Sequence, residues 1–320
     1  MLLSRLVVSM FQAGLMVMAA SVVSGQDYPN KPIRIVTAVA GGGSDFYARQ
    51  IAQGISCPLG QSVIVDNRGG GVIPMEAASK APADGYTLLV NGANTWILPL
   101  VQKTSYDAVS DFSPISLIVR EVNVLAVHPS VPVKSVKELI ALAKARPGEL
   151  NYGSSGVATP PHLCTELFKS MAGVNLVHVA YKGGAAATTA LLAGEVQVPI
   201  IDAALITPHA KSGKLSALAV TSATPSPLVP DLPTIAASGL PGYEWIGMTA
   251  IFAPGKTPGA IINRLNQEIV RVINRTDVKE RFSTAGAEAA GSSPEELAAI
   301  IKSDIAKMGK VIKDAGIRLD

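Results

Sequence analysis

Two spacings of apolar residues alternate along this chain. Short runs rich in Val, Ile and other strand formers predict strands at Ile33–Ala40, Ser62–Asp66, Tyr86–Val90, Ile115–Val119, Val122–Val127, Leu150–Tyr152, Leu176–Val179, Val196–Ile201, Ser216–Val220 and Met248–Phe252. The stretches between them carry apolar residues at helical spacing. Ser135 with Glu138 forms a capping box ahead of a helix through Leu139–Lys144. Ser293, Pro294 and Glu296 open a longer helix, with Leu297, Ile300, Ile301, Ile305, Met308 and Ile312 along one face. Strand alternating with helix predicts an α/β fold of mostly parallel sheets with right-handed crossovers.

The pattern repeats once, weakly. IRIVTAVAGGGSDFYARQIA, VIVDNRGGGVIPMEAASKA and YTLLVNGA form one copy. LNYGSSGVATPPHLCTELF, LVHVAYKGGAAATTALLAG and VQVPIIDAA form the other. Each copy reads strand, small-residue loop, helix, strand ending in a basic residue and glycines, helix, strand. Two copies of one design predict two lobes. ISLIVREVNVLAVHPS has no helix between its extended halves and reads as the first crossover; PGYEWIGMTAIFAPGKTP reads as the return. The first lobe is then residues 26–121 plus 250–320, and the second is 122–249. Two crossing strands make a hinge that can close around a ligand.

Chemistry is expected at the loops that follow the strands, because open α/β sheets bind ligands at their carboxyl edge. Gly41, Gly42, Gly43 and Ser44 expose main-chain N–H groups at a helix start, which suits an anionic group. Asp45 fits two accounts: it satisfies that helix start, or it accepts a hydrogen bond from a ligand amine or hydroxyl. The mirrored loop offers Ser154, Ser155, Gly156 and Thr159, with Pro160 and Pro161 opening its helix. Asn91 after the third strand and Tyr181 at a later strand end complete the set, with His162 included although a core or capping role is usual there. Asp202 ends a strand and reads equally as a helix cap or an acceptor for a polar group. Lys182 reads as a solvated loop charge, Trp245 as packing near the return crossover, and His128, His178 and His209 as structural.

Several classes drop out. The run Gly41–Phe46 lacks the third glycine of a dinucleotide loop, and Ala250 stands where a phosphate loop ending at Gly255-Lys256-Thr257 needs glycine. No cofactor is expected. A hydrolase could be drawn from Ser154 or Ser155 with His162 and Asp202, but the nucleophile-elbow pattern is absent. Charge is nearly balanced, 27 Lys and Arg against 24 Asp and Glu, one of them Arg5 in the leader. No basic run accompanies it, so nucleic acid is not an expected partner. Cys57 and Cys164, on helices of different lobes, are expected to stay free, since a bridge would lock the hinge; their spacing gives no metal site. Residues 1–25 read as an export signal: Arg5, an apolar stretch too short to span a bilayer, and Val23 and Gly25 at cleavage positions. A soluble monomer in the periplasm is the expectation.

Taken in order, YPNKPIRIV, AGGGSDFYAR, VIVDNRGGG, PADGYTLL, the stretch NYGSSGVATPPHLCTELFKSMAGVNLVHVAYKGG, then LPTIAASGLPGYE and IFAPGKTP resemble the tripartite tricarboxylate transporter receptors, also called Bug proteins. The likeness covers nearly the whole chain after the leader. It implies a two-lobed type II periplasmic binding fold. It also implies a carboxylate-bearing solute held largely by main-chain groups and water, then delivered to membrane permease subunits. Gly41–Asp45 corresponds to the family's first carboxylate loop, Ser154–Thr159 to its second, and Asp202 to a strand-end acid. Ala40 stands where members often have Pro, Pro161 where Ser is common, and Leu98 where Asn is usual before Pro99. These departures border the cleft and bear on which acid is bound. A sensor that presents the same solute to a signalling partner is the alternative role.

Overall fold

The computed structural model describes residues 28–318. The export-signal reading of residues 1–25 lies outside the described residues. In chain order the first sheet's elements are β1 (Ile33–Thr37), α1 (Gly43–Leu59), β2 (Val63–Asn67), α2 (Ile73–Ser79), β3 (Thr87–Gly92), α3 (Asn94–Val101) and β4 (Phe112–Glu121). The chain then crosses and builds β5 (Asn123–Val127), α4 (Val136–Ala145), β6 (Asn151–Ser154), α5 (Pro160–Ala172), β7 (Val177–Ala180), α6 (Gly184–Leu192), β8 (Ile200–Asp202), α7 (Ala203–Lys211) and β9 (Ser216–Val220). It returns through β10 (Gly247–Pro254), α8 (Gly259–Ile273), α9 (Thr276–Thr284), β11 (Ala287–Ala289) and α10 (Pro294–Ala315).

The first sheet runs β11-β4-β10-β3-β1-β2. The second is assembled from β8-β5-β9 and β6-β7. Extended residues 196–199 join its two parts: Gln197 and Val198 N–H donate to Asn151 O, while His128 N–H donates to Gln197 O and Ala126 N–H to Pro199 O. The expected strand Val196–Ile201 is therefore extended throughout but pairs regularly only at its end. Both copies of the repeat put the first strand in the middle, between the second and third. Pairing within the repeats is parallel for β1 with β2 and β3 and for β6 with β7. The crossover strands make the sheets more mixed than the mostly parallel expectation. β10 runs antiparallel to β3 and β4, and β5 antiparallel to β8 and β9, because a chain that leaves a sheet and returns re-enters it reversed. The short edge strand β11 was not foreseen; three residues carry too little period to read.

Helices form where apolar residues recur on one face. On α1, Tyr47, Ala48, Ile51, Ala52, Ile55 and Leu59 are buried, and Gly60 ends the helix in the left-handed region at φ 66°. α1 lies against α8, where a methyl group on Gly54 would come within 2.4 Å of Val272 Cγ1, so glycine sets the helix separation. α10 starts with the expected capping box at Ser293 and Glu296. Its buried Met308, Val311 and Ile312 share one apolar core with α3 and with Leu163, Leu167 and Phe168 of α5. Trp96 Nε1 donates to Asp304 Oδ2 at 2.6 Å, tying α3 to α10. The last helix therefore packs on both sheets' helices rather than on one side of the hinge.

Candidate functional site

The switch between sheets happens within a few residues. Glu121 pairs with Gly247 in the first sheet, while Asn123 pairs with Asp202 in the second. Trp245 N–H bonds Thr221 O on the second side, two residues before Gly247 joins the first. Beside these strands a cavity of about 440 Å³ opens between the sheets. Four helix starts border it: Gly43 and Ser44 of α1, Pro160 and Pro161 of α5, Gly184 and Ala185 of α6, and Asp202 ahead of α7. A larger groove of about 600 Å³ lies on the other face of the hinge, lined by Arg120, Glu244, Asp304 and Lys307. Trp245, 5% exposed, and Met248 line both and form part of the wall between them.

The first loop is braced by its own acid. Asp45 is 4% exposed. It accepts Gly41 N–H at 2.8 Å and Asn67 Nδ2 at 2.9 Å, and pairs with Arg49 at 3.0 Å. Burial alone would raise its pKa; the bonds from Arg49, Gly41 and Asn67 outweigh burial and hold it below the usual value. Gly42 N–H is turned back to Val39 O at 3.3 Å. The first bond of the α1 ladder is Phe46 N–H to Gly42 O, so the first-turn N–H groups of Gly43 and Ser44 lie ahead of it. Those two residues line the cavity, where the helix start adds partial positive charge.

The second loop is wired differently. Ser154 is fully buried, and its hydroxyl is 2.7 Å from His178 Nε2 and 3.0 Å from Gly156 O, to which it donates. Gly156 N–H returns to Ser154 Oγ at 3.2 Å, and Thr159 N–H and hydroxyl both go to Gly156 O. Ala158, at φ 57°, donates its N–H to His162 Nδ1 at 2.9 Å, which holds this non-glycine residue in the left-handed region. His162 stacks on His178 with ring centroids 3.9 Å apart, and His178 stacks on Tyr152 at 4.8 Å. Burial, followed by the neighbouring His178, pushes His162 down to about 4; burial also lowers His178. His178, read from sequence as partnerless, is thus the main support of Ser154. A sequence sees no partner 24 positions away across a parallel strand pair.

Of the residues singled out from sequence, Gly43, Ser44, Asn91, Ser155, Pro160, Pro161 and Asp202 line the cavity. Gly41, Gly42, Asp45, Ser154, Gly156, Thr159, His162 and Tyr181 are not part of that lining. Tyr181 directs its hydroxyl toward Glu195 at 3.5 Å. The cavity adds Glu121, Asn123, Ala185 and Thr249, which sequence reading left out, together with Gly184 of the strand-end glycines and Trp245, read from sequence as packing rather than as a shield of the cleft. A signal for Glu121 was present, since Arg120-Glu121 interrupts an otherwise apolar crossover run. Among the described residues lining the cavity, the ionisable ones are Glu121 and Asp202. Glu121 accepts the Tyr47 hydroxyl at 2.8 Å. Burial, then the charge of Asp202, push Glu121 up to about 7, and burial pushes Asp202 up to about 6. Asp202 is the N-cap residue of α7, yet its side chain makes no capping bond. The side chain of this acid lines the cavity instead.

Comparison with known proteins follows the same lines. Residues 47–317 match the model of the tripartite tricarboxylate transporter family receptor. The chain is 34% identical to protein BugT of Bordetella pertussis over 94% of each chain. Among solved structures it is similar to Rpa4515 of R. palustris with adipate, with a TM-score of 0.77 and 37% identity over 91% of this chain and 99% of that one. It is also similar to MatC from Rhodopseudomonas palustris with bound malate, with a TM-score of 0.73 and 26% identity over 89% of this chain and 100% of that one.

Proposed function

This chain belongs to the tripartite tricarboxylate transporter receptor family, and on that premise we propose that it captures a small carboxylate solute in the periplasm and delivers it to the membrane permease of such a transporter. The observation that carries this reading is the cavity between the sheets, where amide-bearing helix starts from both sides converge. Gly43 and Ser44 offer first-turn N–H groups from one side, and Gly184 and Ala185 from the other. Ala187 N–H to Gly183 O is the first bond of the α6 ladder, so the N–H groups of Gly184 and Ala185 precede it. A carboxylate between two such starts is held without a Lys or Arg in the lining.

Capture follows from the layout. With the sheets apart, solvent reaches both helix starts. Rotation about the crossovers at 121–123 and 245–247 brings the starts together on the solute and removes water, which strengthens each hydrogen bond. Binding, rather than turnover, is the expected activity. Of the two candidate nucleophiles of the rival hydrolase reading, Ser154 is buried with its hydroxyl engaged by His178 and Gly156, and Ser155 lines the cavity while His162, the base that reading needs, accepts the Ala158 N–H. The protein acts as a monomer carrying no cofactor, and the leader is removed on export.

The test is thermal denaturation against a panel of organic acids and neutral sugars. A cognate acid at 100 times its Kd adds about 2.7 kcal/mol to stability and raises the melting temperature in proportion. Stabilisation by a sugar with no response to any acid would overturn the carboxylate reading.

A further inference from the structure

We infer that Glu121 and Asp202 form a subsite for the protonated amine of a ligand whose carboxylate sits at the helix starts, so that the preferred solute is an aminocarboxylate rather than a dicarboxylate. This rests on the solute-receptor reading above and deepens it by naming the ligand class.

The two acids reach the cleft from different sheets. Asp202 ends β8 opposite Asn123 of β5, and Glu121 ends β4 opposite Gly247 of β10. Glycine at 247 makes room for the carboxylate: a Cβ there would lie 3.1 Å from Glu121 Cβ and 3.3 Å from its Oε2. A Cβ on Gly43 would lie 3.8 Å from Glu121 Oε1, so the acid also sits beside the start of α1. Tyr47 donates to Oε1. Its other oxygen, Oε2, and the uncapped carboxylate of Asp202 are the acceptors offered to a ligand. The same wall holds a second unsettled polar group: Trp245, 5% exposed, has an indole N–H with no acceptor among the described residues.

Charge decides which ligand fits. A dicarboxylate that placed one end on the α1 or α6 start would bring its other end toward two acids, with no cation in the lining to offset them. An ammonium in that place receives hydrogen bonds from both acids' oxygens and cancels their mutual repulsion. The groups facing Glu121 are Tyr47 from α1 and Asp202 from β8. Arg120, next along the strand, lines the groove on the opposite face of the hinge. In the unliganded cleft, burial holds part of the acid pair protonated near neutral pH. An ammonium between the acids favours their ionised forms, so a proton leaves when the ligand binds.

The experiment is calorimetric titration at pH 7, in two buffers of different ionisation enthalpy. The ligands are length-matched pairs: 4-aminobutanoate with succinate, 5-aminopentanoate with glutarate, and aspartate and glutamate with the same two diacids. Wild type, Glu121→Gln and Asp202→Asn are compared, with melting curves confirming that each variant folds. At least one aminocarboxylate is expected to bind tenfold or more tighter than its matched diacid and to release protons. Glu121→Gln is expected to weaken that ligand at least tenfold while leaving the diacid unchanged or tighter. A diacid that binds more tightly with proton uptake overturns the inference and leaves the receptor reading standing. So does an equal loss for both classes in Glu121→Gln. Failure of every organic acid, with no response in melting either, overturns both.

Discussion

The loop after β1 and the loop after β6 are copies in sequence and opposites in wiring. In the first, one side chain, Asp45, braces Gly41 and leaves the amides of Gly43 and Ser44 at the cavity. In the second, Gly156, Ala158 and Thr159 all spend their N–H groups inside the loop. The next two residues, Pro160 and Pro161, have no N–H at all. A helix start becomes an anion cradle only if its first-turn donors exist and are free. On the second side that condition is met one unit later, at Gly184 and Ala185 of α6. Similar loops are therefore wired differently: one leaves first-turn amides at the cavity, and the other spends its amides within itself and is backed by the stacked His162 and His178.

The sharpest test is pH, because His162 behind the second loop and Glu121, which ends β4 beside the start of α1, pull in opposite directions. His162, with a folded pKa of about 4 against an ordinary 6.5, is neutral in the fold while the unfolded chain takes up a proton. Its contribution is absent above pH 6.5 and becomes a penalty that grows to about 3 kcal/mol as pH falls to 4. Glu121, raised to about 7 from 4.5, does the reverse. Its penalty is absent below pH 4.5 and grows to about 3 kcal/mol as pH rises through 7. Urea denaturation of the unliganded protein from pH 4 to 8 checks both. Glu121→Gln should gain stability over wild type only at the alkaline end, and His162→Gln only at the acid end. Matching slopes for the two variants would erase the contrast.

Ligand affinity gives the next test. Gly43→Pro removes one first-turn N–H at a position that tolerates proline, because Gly42 before it is extended at ψ 168°. Affinity should fall at least tenfold, about 1.4 kcal/mol. Gly43→Ala keeps the N–H and puts its methyl group 3.6 Å from Tyr47, an ordinary contact, so it should bind as wild type does. Pro160→Ala restores an N–H at the mirrored position of the second loop and should change affinity less than about threefold. A tenfold gain there would mean that the two loops are equivalent after all. The smallest effect belongs to Ser154→Ala, which breaks the bond to His178. It should cost about 1 kcal/mol of stability and leave titrated affinity within about twofold.

Much of the architecture was legible in advance. The order of strands and helices, the repeat and both crossover runs follow from apolar spacing, which is local and survives without neighbours. Gly43, Ser44, Asn91, Ser155 and Asp202 were legible as cavity candidates because each lies at or just past a strand's carboxyl end. Glu121 and Trp245 were not. They lie in the crossover runs, where a charged or aromatic residue reads as solvated or packed until the two sheets are placed around it. The contact between Ser154 and His178, itself read as structural, was hidden for a related reason: a parallel strand pair brings them within 2.7 Å, and no short-range pattern encodes that pairing.

The chain by itself determined the α/β order, the two glycine- and serine-rich loops and the family to which they belong, since each is written in contiguous residues. Only the tertiary structure decided which amides remain open, which hydroxyls are spent, and that two acids from different sheets share one cleft. Those outcomes depend on partners distant in sequence, and hydrogen-bond supply and burial are set by the packed neighbours rather than by the residue alone.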